Sequence, residues 1–168
     1  VTESARRIPV SFRDKLPGVP WALFGTGNDQ LIALLGGDTS RVALLGSDLP
    51  VVSLAIPNGA AAATYWGDLV AIAADTAVVL YEPGSSRLLR SIPVSGHARA
   101  VVFSASGHRL YVARRDDDEL LVLDRYSDKT LDRISLPGPS GALRPDPYGR
   151  WLLVKPQSSD SVWVVDLG

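Results

Sequence analysis

The sequence predicts an all-β fold of four-stranded antiparallel blades, about four of them, and three observations predict it. Short apolar runs rich in Val, Leu, Tyr and Phe recur along the chain, each strand-length and too short for a helix. Leu-Pro or Ile-Pro pairs end segments at Pro17, Pro57, Pro93 and Pro137, at intervals of 40, 36 and 44 residues. Between those prolines the same order of run, turn, run, loop and run returns.

The clearest copy is residues 98–124, ARAVVFSASGHRLYVARRDDDELLVLD. Its three runs are joined by the turn Ser-Ala-Ser-Gly at 104–107 and by the charged loop 114–119, which makes an antiparallel meander. First strands are expected at 21–25, 62–66, 100–104 and 141–144, and second strands at 31–35, 69–73, 110–113 and 151–155. Third strands are expected at 42–45, 77–81, 120–124 and 162–167, and fourth strands at 51–56, 88–92 and 130–136.

The turns between first and second strands contain Asn28-Asp29, Gly67-Asp68, Ser106-Gly107 and Tyr148-Gly149, residues that tolerate positive φ. Residues 82–85 (Glu-Pro-Gly-Ser) and 126–129 (Tyr-Ser-Asp-Lys) serve between third and fourth strands. The alanine run at 60–63 is too short to overcome helix nucleation.

Repeated four-stranded meanders are the unit of a β-propeller, because a lone meander has two apolar faces that only neighbouring blades cover. A β-sandwich is the alternative, but it does not call for one internal order repeated four times. The chain divides as one domain, 1–168, into repeats 17–57, 58–93, 94–137 and 138–168. The last repeat lacks a fourth strand, and residues 8–16 (IPVSFRDKL, before Pro17) resemble one, so the N-terminal strand is expected to complete the last blade. Further blades in a longer chain, or two copies pairing into a larger ring, would satisfy the same edges.

Composition narrows the function classes. The net charge is −1, with 46% hydrophobic and 21% charged residues, which gives no electrostatic reason to expect nucleic acid or an anionic membrane as partner. Of 17 basic residues only Lys15, Lys129 and Lys155 are lysine. With no Cys there is no disulfide, thiolate nucleophile or thiolate metal site. No apolar run reaches the roughly 18 residues of a membrane helix, and no signal peptide is visible. A chain that starts with Val and has no Met is expected to be a processed form, a fragment or part of something longer.

Val102-Phe103-Ser104, Gly107, Arg109-Leu110-Tyr111-Val112-Ala113 and Leu121-Val122-Leu123-Asp124 resemble the YVTN-type bacterial β-propeller repeat, and more distantly WD repeats. Arg144-Pro145-Asp146, Arg150-Trp151-Leu152-Leu153-Val154 and Ser161-Val162-Trp163-Val164-Val165-Asp166 repeat the pattern. Gly96-His97 falls where WD repeats place Gly-His, and Asp116, Asp117 and Asp118 fall in the loop of their structural Asp. The resemblance covers about residues 92–168; over 1–91 only the periodicity matches. It implies a bacterial propeller of the extracytoplasmic kind, in the periplasm or at the cell surface, with cytoplasm the other compartment. Such propellers are commonly recognition modules of larger envelope proteins, an inference by analogy of fold.

The residues that carry chemistry are few. His97 and His108, the only histidines, lie in connections at opposite ends of a blade and cannot share one ion. The run Arg114-Arg115-Asp116-Asp117-Asp118-Glu119 lacks the ligand spacing and mid-loop glycine of a calcium loop, and reads as a solvated hairpin tip where Asp117 tolerates alanine. Residues 25–28 and 36–38 are Gly-rich but open no helix, and the serines lack a nucleophile elbow. Trp21, Trp66, Trp151 and Trp163 are expected as wedges between blades, with one at the rim available as an anchor. No metal or cofactor is expected.

The function expected is a non-catalytic module that presents loops at one end of the ring to a protein or peptide partner. The contact residues expected are His97, Arg99, Arg114, Arg115, Asp116 and Asp117, which the meander brings to one end. A propeller enzyme, lactonase-like hydrolase or quinone-dependent dehydrogenase, is the alternative; it requires converging acids, His or a metal, a set that the sequence does not display.

Overall fold

Tyr111 and Val112 point to opposite faces of one strand, and both are buried. The strand is the second of its meander, sandwiched between two other sheets, so its run of apolar residues is continuous rather than alternating. A computed structural model describes residues 16, 18–25, 31–37, 39–45, 51–54 and 59–168. Most of the expected N-terminal strand (8–15), the turn Asn28-Asp29 and the expected end of the first blade (55–56) lie outside the described residues.

The chain is an all-β propeller with four antiparallel blades in sequence order. Blade one is β1 (Pro20–Gly25), β2 (Leu31–Leu35), β3 (Arg41–Leu45) and β4 (Val52–Ser53). Blade two is β5 (Ala61–Ala63), β6 (Val70–Ala74), β7 (Ala77–Glu82) and β8 (Arg87–Pro93). Blade three is β9 (Ala98–Phe103), β10 (Arg109–Arg114), β11 (Glu119–Asp124) and β12 (Thr130–Ser135). Blade four has three strands among the described residues, β13 (Ser140–Pro145), β14 (Trp151–Pro156) and β15 (Trp163–Asp166). Four sheets stacked in turn exclude the two-sheet sandwich.

Each gap between blades holds its own apolar cluster. Ile32, Leu34 and Val42 of blade one meet Val70, Ile72 and Tyr81 of blade two. Ala71, Leu80 and Ile92 of blade two meet Val101, Leu110, Val112 and Leu121 of blade three. On the other face of blade three, Tyr111, Ala113, Leu120 and Val122 meet Leu152 and Val154 of blade four. Register fixes the division: Tyr111 opposes Val122 and Val112 opposes Leu121, so a slip of one residue would exchange the two clusters. Each fully buried Leu contributes on the order of 1.5–3 kcal/mol.

Outer strands β8 and β12 are mostly exposed and carry Arg87, Arg90, Asp132 and Arg133, charges that blunt a sheet edge against pairing. The end of β5 differs from expectation. β5 stops at Ala63 instead of running to 66, because Thr64 begins a turn. Among the described residues the only helical segment is a single 3-10 turn, Pro83–Ser85, closed by Ser86 at φ 54°. No helix of the described residues is long and apolar enough to cross a membrane.

Candidate functional site

Blade geometry sends the connections to two ends. At one end lie the inter-blade connections and the loops between second and third strands. The expected contact residues gather there: the His97 carbonyl accepts from the Arg115 N–H at 2.8 Å, and the Asp75 carbonyl from Ala98 N–H.

Their roles differ, however. Arg114 is 8% exposed and fastens the loop. Its guanidinium reaches Asp117 Oδ2 at 2.7 Å, Glu119 Oε2 at 3.3 Å and the Ser95 carbonyl at 3.0 Å. Asp117 also accepts the Glu119 N–H at 2.9 Å, so it is a structural acceptor of the loop and not a free tip. The sequence pattern missed this because the hexapeptide is polar throughout, while the loop folds back over its own first residue. His97 Nδ1 lies 2.6 Å from Asp75 Oδ1 of the preceding blade, both exposed. Arg99 and Arg115 are exposed, and Asp116 turns the loop at φ 57°. Arg99, Arg115 and Asp116 therefore remain as the side chains with most freedom to meet a partner.

The opposite end is built by turns between first and second strands, and three share one construction. In blade three Gly107 N–H donates to the Ser104 carbonyl, and Arg109 N–H donates to Ser104 Oγ at 3.1 Å. In blade two Gly67 N–H donates to the Thr64 carbonyl and Leu69 N–H to Thr64 Oγ1 at 3.2 Å. In blade four Gly149 N–H donates to the Asp146 carbonyl and Arg150 N–H to Asp146 Oδ2. Gly67, Gly107 and Gly149 all have positive φ, 73°, 72° and 79°, which explains glycine at each. The motif is a capping side chain, two free positions and a glycine.

The free positions are where aromatics stand. Tyr65 is 70% exposed, Trp66 63% and Tyr148 94%. Tyr65 and Trp66 form an edge-to-face pair with centroids 4.8 Å apart. Across from them His108 meets Tyr126 edge-on at 5.7 Å, and the Arg125 guanidinium covers the Tyr126 ring at 4.6 Å. Arg125 also donates to the Gly107 carbonyl at 3.1 Å and lies 3.7 Å from Asp68 of blade two, and Asp68 accepts from Thr64 Oγ1. A cleft of about 370 Å³ opens between these turns, lined by Tyr65, Trp66 and Asp68 of blade two and by Ser106, His108 and Arg125 of blade three. Trp66 is also a wall of a second cleft, about 490 Å³, toward Glu82 and Ser85. It stands as a ridge between two concavities.

Of the four tryptophans, Trp21 and Trp163 pack in inter-blade clusters as expected, Trp151 lies on the outer face of blade four, and Trp66 is the rim aromatic. Beside the cleft Asp124 accepts from Tyr126 N–H at 3.0 Å and Ser127 Oγ at 2.8 Å. These two donors hold its carboxyl below the ordinary carboxylate value. Among the described residues no group of three or more His, Cys, Asp or Glu side chains is arranged to hold a metal ion.

No protein-family profile matches the chain, and no curated protein sequence matches it. Its structure is similar to a chain of Kuenenia stuttgartiensis Hydrazine Synthase, with a TM-score of 0.71 and 17% sequence identity. The likeness covers 94% of this chain and 48% of that one, so the chain spans about half the length of this neighbour. At that identity the likeness shows the propeller fold and carries no activity across.

Proposed function

We propose that the chain is a non-catalytic recognition module that takes an extended peptide segment of a protein partner across the aromatic turn end. The observation that carries the proposal is the Trp66 ridge, exposed between two clefts and faced by His108 with Tyr126 behind it. Aromatic-lined grooves on a rigid scaffold suit extended or proline-rich segments, and Trp and Tyr are enriched among the few residues that dominate binding energy in interfaces. The blades hold the turns fixed, so little ordering cost falls on the module. The exposed Arg99 and Arg115 at the opposite end support a second docking surface for a carboxylate-bearing partner, the reading that sequence alone favours. The compartment inferred from the repeat resemblance is the bacterial periplasm or cell surface, which fractionation of the native source would check.

Panning a phage-displayed random peptide library on the purified chain tests the proposal. Enriched peptides should carry a proline or aromatic anchor and lose binding to a Trp66→Ala, Tyr126→Ala double variant, while Arg99→Ala with Arg115→Ala leaves it intact. The opposite pattern assigns recognition to the arginine end. A library that yields no chain-specific peptide removes the peptide reading.

A further inference from the structure

A third cleft opens at the aromatic turn end, between blades three and four, with a volume of about 350 Å³. Ser104, Ser106, His108 and Arg109 of blade three and Tyr148 and Gly149 of blade four line it. The two turns touch, since a Cβ on Gly149 would lie 3.1 Å from the Ala105 Cβ. His108 also lines the cleft between blades two and three, so the two concavities adjoin.

The charge in this third cleft is unbalanced. Asp68 lines both clefts beside Trp66, 3.7 Å from Arg125 in the first and joined by Glu82 in the second. No carboxylate lines the third, and Arg109 stands in it exposed. Among the described residues Arg109 enters no ion pair. Its guanidinium lies beside the Tyr111 hydroxyl, a neutral group. Asp124, opposite Arg109 in the β10–β11 ladder, is held instead by the Tyr126 N–H and the Ser127 hydroxyl. The serines add a donor. Ser104 Oγ accepts the Arg109 N–H and lies 3.2 Å from Ser106 Oγ. That pair uses one of its two hydroxyl protons, which leaves the other for an acceptor in the cleft.

We propose that the peptide partner places an aspartate or glutamate side chain in this cleft, its carboxylate paired with the Arg109 guanidinium and accepting from the serine pair. This rests on the reading that an extended peptide crosses the turn end with its anchor at Trp66, and it adds a charge and a spacing. A guanidinium and a hydroxyl together supply donors for both oxygens of a carboxylate. One unbalanced positive charge matches one carboxylate, whereas a phosphate dianion would leave negative charge over. The Arg109 cleft and the one beside Trp66 lie on either side of blade three. Sheets stack about 10 Å apart and an extended chain rises about 3.3 Å per residue, so the acid stands about three residues from the anchor.

Peptides panned on the chain, titrated by calorimetry, test this. Those that need Trp66 should carry Asp or Glu about three residues from the proline or aromatic anchor. Arg109→Ala, or replacing the peptide's acid by its amide, should weaken binding by about tenfold, roughly 1.4 kcal/mol, and the two changes together should cost little more than either alone. Arg109→Glu should abolish binding of the acidic peptide and restore it for a peptide with arginine at that position. Both variants should keep the thermal midpoint, because Arg109 is exposed and it is its backbone N–H that holds Ser104. Peptides that need Trp66 but bind Arg109→Ala undiminished overturn the carboxylate site and leave the peptide reading standing. Peptides that need Arg109 but not Trp66 uphold the carboxylate site and overturn the Trp66 anchor. A library that yields no binder overturns both.

Discussion

Removing the Asp117 carboxylate would leave the buried Arg114 guanidinium with Glu119 as its one remaining carboxylate partner within the loop. Asp117→Ala should therefore cost about 1–2 kcal/mol, more than the roughly 0.5 kcal/mol of an exposed tip, with a matching fall in the urea midpoint. Leu121→Asp, at a site 1% exposed, should leave no cooperative transition at all, because an unpaired carboxylate would sit between two blades. Gly59 is more sensitive than its loop position suggests: a Cβ there would lie 2.0 Å from the Ala73 carbonyl oxygen. Gly59→Ala should cost about 1–3 kcal/mol by forcing β6 away from the chain before β5, and its thermal midpoint checks this. Asp124 adds a pH dependence. Its carboxyl is depressed by the Tyr126 N–H and Ser127 hydroxyl, so its contribution is present above the unfolded value of about 3.9 and lost as pH falls through the lower folded value. Asp124→Asn should flatten the acid limb of a melting-temperature profile and leave the neutral plateau nearly level.

The capped turn is the element that sets the proposed surface. Thr64 is buried and holds both the Leu69 N–H and Asp68, whereas Ser104 is only partly buried and Asp146 sits at the margin of blade four. Thr64→Ala should therefore destabilise more than Ser104→Ala, about 1–2 against about 0.5–1 kcal/mol, and should cut peptide binding by loosening Tyr65 and Trp66; chemical denaturation and the panned peptides read the two effects. Much of the propeller was legible because the second and third strands of blades one to three are buried on both faces and stand out as unbroken apolar runs. The turn glycines were legible too, since positive φ leaves few alternatives. The aromatic rim was not. Tyr65 and Trp66 follow an alanine strand and have high strand propensity, so pattern alone extends the strand through them. Only the Thr64 cap and Gly67 end it. Arg114 was hidden for the converse reason, as a charge run reads as solvated until the backbone is seen to fold over it. The bare face of blade four, with Leu153 and Val164 exposed, was hidden because these residues have the same character as Tyr111 and Val122, their buried counterparts in blade three.

Across the whole molecule the apolar clusters form a series, and stability should follow it. Blades two and three each have a filled gap on both faces, whereas blade four has one filled gap and one bare face. β15 is also an edge strand of the described fourth sheet, with β14 as its one partner there. Opening β14 and β15 exposes the contents of a single cluster, but opening β10 and β11 disrupts two. Local unfolding should then cost least in blade four and approach the global value in blade three. Native-state hydrogen exchange should show Val112, Leu121 and Val122 amides among the slowest and Val164 and Val165 among the faster strand amides. If amides of β14 and β15 exchange as slowly as those of β10 and β11 in dilute solution, blade four is supported by something other than the cluster it shares with blade three. The stability series would then be wrong.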